Sequence, residues 1–248
     1  MKNRSLISLS VFALFVLVAG NACAGSAPEP TPPPPTSTLP PPTKTPVPTI
    51  TSIPPTPTTT PDLAATQQYE DFFSIVQKYY DAGVLPSLEG KYQVMGDYSD
   101  ASTEAGKYRW KTYDIPIRNF LVRADVVLET AHSPASQSGC GFVFNVVSDT
   151  VHESIFLQRN GSAIYGLSGR TFKTEFYDKL PNPAEFTMTV LVYENEIHLT
   201  INDTDVISYQ LDLQREKRGW GPALLAGSTQ DFGTRCDFKN IELWEIGP

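Results

Sequence analysis

The chain has 248 residues, 22 of them proline and only three cysteine, with a formal net charge of −8 at neutral pH. From residue 62 onward 26 acids face 16 bases, a balance that excludes nucleic acid as a partner because phosphates demand basic surface. The stretch before residue 62 has no core-forming composition, which leaves about 187 residues, enough for one hydrophobic core.

The chain begins with a short positive segment, Met1-Lys-Asn-Arg4, followed by an apolar run from Leu6 to Ala19 and then by Gly20-Asn-Ala-Cys23-Ala-Gly25. This is the layout of an export signal, and it assigns residues 1–24 to a signal peptide. The apolar run is too short, and too soon followed by proline, for a permanent membrane span. The stretch resembles a bacterial lipoprotein signal, in which Cys23 becomes the lipidated first residue. Gly20 stands where that pattern has a leucine. Ordinary signal-peptidase cleavage is the alternative, since Gly20-Asn-Ala22 and Ala22-Cys-Ala24 both place small residues at the required positions. The first route implies an extracytoplasmic protein held to a membrane through its lipid anchor at the cell surface, and the second a secreted one.

Residues 25–61 form a linker. From Pro28 to Pro61 the chain is almost entirely proline and threonine, including Pro32-Pro-Pro-Pro35 and Pro40-Pro-Pro42. Such a stretch builds no core and is stiffened towards polyproline II. At about 3.1 Å per residue it can reach on the order of 100 Å, the behaviour of a spacer.

Residues 62–89 read as one short amphipathic helix packed on the domain C-terminal to it. Asp62 can cap it. Tyr69, Phe72, Phe73, Val76, Tyr79 and Tyr80 recur at helical spacing, and Gly83 and Pro86 are stop signals. A lone helix of this length is marginal in water, so its aromatic stripe predicts docking.

From residue 90 to 248 the texture changes to short alternating runs broken by Gly, Asn and Asp. Strands are expected at Tyr92–Met95, Lys107–Thr112, Phe120–Glu129, Gly139–Val147, Glu153–Gln158 and Ser162–Leu167, the last two joined by the hairpin signal Asn160-Gly161. A second group runs from Phe186 to Val192, from Ile197 to Ile201 and from Val206 to Leu211, turning at Glu194-Asn195 and at Asn202–Asp205. The last strand spans Thr234–Ile246. Its apolar set changes phase between Phe238 and Ile241, which predicts a bulge near Lys239-Asn240. The whole is an all-β, jelly-roll sandwich preceded by one helix.

Cys140 and Cys236 sit mid-strand on the same side as Phe142 and Phe238. Export places them where thiols oxidise, and Cys23 is either lipidated or cut away, so the remaining even pair is expected as a disulfide.

Three stretches carry a family resemblance. Ser138-Gly-Cys-Gly-Phe-Val-Phe144, Glu196-Ile-His-Leu-Thr-Ile-Asn202 and Thr234-Arg-Cys-Asp-Phe-Lys-Asn-Ile241 resemble strands of the concanavalin A-like lectin and glucanase superfamily, including laminin-G-like modules and the 3-keto-disaccharide hydrolase type of domain. Asp203 stands where that pattern has a turn glycine. The resemblance implies a binding or adhesion module for a glycan or cell-wall ligand. An enzyme acting on glycosides and a structural surface protein without a small ligand are the alternatives.

The carboxylate triplet E-x-D-x-E of the catalytic glucanases does not occur. His132, His152 and His198 lack metal-ligand spacing, so no metal and no cofactor are expected. Asp203 and Asp205 form a turn that more often only solvates itself than binds calcium. No catalytic residue is assigned. Sugar-binding surfaces use flat aromatic rings flanked by polar groups, which nominates Trp110 and Tyr165 as ligand-binding positions. The competing reading makes Trp110, Trp220 and Trp244 core residues.

Overall fold

Residues 63–131 and 135–247 are described by a computed structural model. Helix α1 (Leu63–Asp81) is followed by fourteen strands: β1 (Gly90–Val94), β2 (Tyr98–Ser102), β3 (Tyr108–Trp110), β4 (Tyr113–Ile117), β5 (Phe120–Thr130), β6 (Gly139–Ser148), β7 (Val151–Gln158), β8 (Ser162–Leu167), β9 (Arg170–Phe176), β10 (Ala184–Tyr193), β11 (Glu196–Ile201), β12 (Thr204–Gln210), β13 (Arg218–Leu225) and β14 (Thr234–Ile246). They form two antiparallel sheets. The first runs β1-β14-β5-β10-β11-β12, with β2 also on β14. The second runs β3-β13-β6-β7-β8-β9, with β4 also on β13.

Alternation sets the packing. Phe120, Val122, Ala124, Val126 and Leu128 of β5 are buried and meet Phe142 and Phe144 of β6 across the sandwich, with Trp220, Phe238 and Leu243 in the same core. Cys140 on β6 and Cys236 on β14 form a disulfide with Cα atoms 5.8 Å apart, tying the second sheet to the first. The expected bulge is present: the β14–β5 register shifts between Lys239 and Glu242, and Asn240 has φ +50°. The bulge divides β14, so that β2 pairs with residues 234–238 and β1 with 242–246.

Helix α1 docks on the outer face of the first sheet, as the stripe predicted. Phe72, Val76 and Tyr79 are buried against Leu121, Leu191, Trp244 and Ile246. The Tyr79 hydroxyl also meets the Thr200 hydroxyl at 2.9 Å. The helix ends in a Schellman motif: Val84 N–H bonds the Tyr79 carbonyl at 3.0 Å and Gly83 N–H the Tyr80 carbonyl at 2.9 Å. Gly83 takes the left-handed conformation this requires, with φ +73°.

Four strands depart from the sequence reading. β2, β4, β9 and β13 were not expected; β13 is rich in Gly and carries Pro222, yet it lies inside the second sheet. Cys23, the linker and the Asp62 cap fall outside the described residues.

Candidate functional site

The outer face of the second sheet carries the candidate site. Cys140, Phe142 and Phe144 point inward, so alternation turns Gly141 and Val143 outward. On β13 the outward set is Ala223 and Leu225, and on β7 it is His152, Ser154 and Phe156. The edge strand β3 pairs Trp110 with Ala223 and Tyr108 with Leu225, placing both rings on this same face.

β3 and β7 are three strand steps apart, about 14 Å in a flat sheet. Yet Tyr108 lies 5.3 Å from Phe156, and Trp110 4.6 Å from His152, between ring centroids. The sheet therefore curls, and the rings lean inward across a floor of small residues, Gly141 and Ala223. A Cβ at Gly141 would collide with the carbonyl oxygen of Ile155 on β7. That close approach is why glycine stands there.

Beside the rings runs a groove of about 1050 Å³ whose lining includes Tyr98, Asp100, Arg109, Trp110, Asp149 and His152. Trp110 is half-buried. Arg109 Nε donates to Asp100 Oδ2 at 3.0 Å, and the Tyr98 hydroxyl donates to the same oxygen at 3.2 Å. Burial, with the Asp100 carboxylate adding to it, pushes the Tyr98 phenol up to about 12. His152 is buried, and burial holds its pKa below the ordinary histidine value, against the opposing pull of the Ser148 backbone and Asp149. The groove thus offers a half-open indole face together with a carboxylate, a guanidinium and neutral hydrogen-bonding groups.

Tyr165 is not part of this surface. Alternation along β8 turns Ala163 and Tyr165 inward, and Tyr165 is fully buried. Its hydroxyl donates to Glu153 Oε2 at 2.6 Å. Glu153, also buried, receives a bidentate ion pair from Arg215, with Nε at 2.9 Å and Nη2 at 2.8 Å, and Asn145 adds a bond at 3.0 Å. Arg215 donates further to the Glu194 carbonyl. Burial first and the Glu153 carboxylate second push the Tyr165 phenol upward, keeping it a neutral donor. A ring held between the sheets in this way cannot stack on a ligand. Trp220 and Trp244 are core residues, at 0% and 4% exposure.

The other nominated groups are dispersed. His132 lies outside the described residues, and His198 sits on the opposite sheet against Glu196 at 3.2 Å. Asp205 accepts a bond from Thr200 at 3.0 Å, and Asp203 occupies its hairpin turn with φ +63°. Among the described residues no group of His, Cys, Asp and Glu is placed to hold a metal ion. The sequence reading did not single out Asp100, Tyr98 or Asp149. The polar run Tyr98–Ser102 gave no strand signal, so its place beside β3 was not visible.

No family model matches the chain, and no curated protein matches it. Solved structures of similar fold include the carbohydrate-binding module CBM66 from Bacillus subtilis, at 7% identity and a TM-score of 0.46, covering 61% of this chain and 94% of that one. A putative glycosyl hydrolase from Parabacteroides distasonis matches at 11% identity and a TM-score of 0.40, covering 62% and 98%. A Bacillus licheniformis β-glucanase matches at 11% identity and a TM-score of 0.39, covering 55% and 69%.

Proposed function

We propose that the protein is an exported, stalked binding module that presents the groove beside β3 to carbohydrate at the cell surface. The observation that carries this reading is the half-exposed indole of Trp110 set among Asp100, Arg109 and Asp149 in an open groove. The apolar face of a sugar ring stacks on a flat aromatic, while carboxylate and guanidinium groups bond its hydroxyls in fixed directions. A groove of about 1050 Å³ lies at the upper end of small-molecule sites, which suits an oligosaccharide better than a single ring. In this reading Cys23 is the lipidated residue. Anchoring is stable when two or more acyl chains insert, and the linker 25–61 carries the groove on the order of 100 Å from the membrane.

A glycan array that includes cell-wall polysaccharides, probed with the purified protein, tests the ligand class. Binding to at least one glycan, lost in Trp110→Ala, is the expected result. A blank array with folded protein contradicts it. Detergent-phase partitioning that disappears in Cys23→Ala tests the anchor.

A further inference from the structure

His152 is a costly residue where it stands. It projects from β7 onto the groove face and is 4% exposed, with the Trp110 ring 4.6 Å away and the Tyr108 ring edge-on at 6.1 Å. Neither ring nitrogen makes a well-formed hydrogen bond. A buried polar group left in that state lowers stability. Phenylalanine would fill the same slot and stack on the same indole without that penalty. Trp110, for its part, sits on a three-residue edge strand and is only half-buried, and the contact with His152 restrains its ring together with packing on the Val143, Phe156, Ala223 and Leu225 cluster.

We infer that His152 is the positioning residue of the Trp110 ring and makes the shape of the groove depend on pH: the neutral imidazole holds the indole down, and the protonated one releases it. The inference rests on the groove reading only for its consequence, the exposure of the platform to a ligand. Protonation leaves two N–H donors and a full charge in a buried place where the Ser148 backbone can serve at most one of them. Attraction between the imidazolium and the indole face opposes release, but it supplies no acceptor for the remaining N–H. Outward movement of Trp110 lets water reach both nitrogens.

The charged and titratable groups around His152 do not reverse this. Asp149, on the β6–β7 turn, favours the charged ring. Arg109 and Asp100 are paired with each other at 3.0 Å, and Lys107 is paired with Glu104 at 3.0 Å. Tyr108 is a neutral phenol held upward by burial. β6 and β13 bring Val143, Val146 and Ala223 to this face, and on the β8–β9 side Arg170 lies over the Phe172 ring at 5.3 Å. The net effect of burial still favours the neutral form.

Acrylamide quenching of tryptophan fluorescence, followed from about pH 8 to about pH 5 alongside the NMR titration of His152, tests the latch without any glycan. Its outcome is therefore independent of what the groove binds. Trp220 and Trp244 are buried, so a change in quenching reports Trp110. Quenching is expected to rise as pH falls, with the midpoint of the His152 titration, and to stay flat in His152→Phe and in Trp110→Phe. Flat quenching in the unmodified protein while His152 titrates overturns the inference, as does a rise that persists in His152→Phe. Should His152→Phe not fold, the comparison of the two midpoints in the unmodified protein decides alone, and midpoints that differ overturn it.

Discussion

Both sheets carry aromatic side chains on their outer faces, and the two faces have opposite fates. On the first sheet Trp244, Leu121 and Leu191 are sealed beneath α1, whose Phe72, Val76 and Tyr79 complete a second core. On the second sheet Tyr108 and Trp110 close over Val143 and Phe156, and Trp110 remains half in water beside charged groups. Residue type does not separate these regions, since each has a tryptophan and tyrosines. What separates them, among the described residues, is whether a covering element lies on the face. A ring under a helix contributes to stability, whereas a ring at the edge of a curled sheet is available to something else.

Substitutions sharpen that contrast, and the largest effect is expected where both faces share a framework. Replacing Cys140 and Cys236 together by serine opens a loop closed across 96 residues, which chain entropy values at roughly 4–5 kcal/mol. Urea denaturation should show that loss for the whole domain in one transition. Two separate transitions would mean the faces belong to independent units, and the contrast would collapse. Arg215→Ala strands the buried Glu153 carboxylate behind the groove sheet and should cost about 3–5 kcal/mol.

Phe72→Ala on the covered face should cost about 3–5 kcal/mol, because the void lies between helix and sheet. Trp110→Ala on the open face should cost well under that in the same denaturation assay. If the two losses are equal, Trp110 is a core residue and the distinction fails. Arg109→Ala removes an ion pair whose arginine side chain is 51% exposed, so about 0–1 kcal/mol is expected.

The smallest effect is one of pH. The folded-state pKa of His152 is depressed, so the unfolded chain binds more protons once pH falls below the ordinary histidine value of about 6.5. Stability is thus intact above that pH and declines as pH falls through it towards the folded value. His152→Phe should remove that part of the slope in a melting-temperature series, and an unchanged slope would place the sensitivity elsewhere.

Much of the framework was legible in the residues. The alternation of β5, β6 and β10 and the phase change that becomes the β14 bulge follow from a period of two meeting a core, and the Asn160-Gly161 turn follows from glycine's tolerance of positive φ. The Cys140–Cys236 pairing followed from the expected export signal and an even count of the remaining cysteines. β13 was not legible because Gly219-Trp-Gly-Pro222 violates strand propensity. Pro222 is tolerated inside the sheet because it falls where β13 changes neighbour, from β4 at Arg218 and Trp220 to β3 at Ala223–Leu225.

The candidate site was half legible. Trp110 was nominated from an aromatic run flanked by bases, and its placement on the groove face follows from pairing with Ala223. Tyr165 was misplaced because both faces of β8 are apolar enough to be the inner one. Only the remote Glu153–Arg215 pair, which satisfies its hydroxyl, makes the inward choice tolerable. The partners Tyr98 and Asp100 came from a strand with no hydrophobic period, held in place by pairing with β14.

The most direct test of the account is the affinity of Trp110→Ala for the strongest glycan found on the array, measured by titration calorimetry against the unmodified protein. The account predicts a loss of about 1–3 kcal/mol, roughly 5- to 150-fold, with the melting temperature little changed. Unchanged affinity in a well-folded Trp110→Ala protein would contradict it.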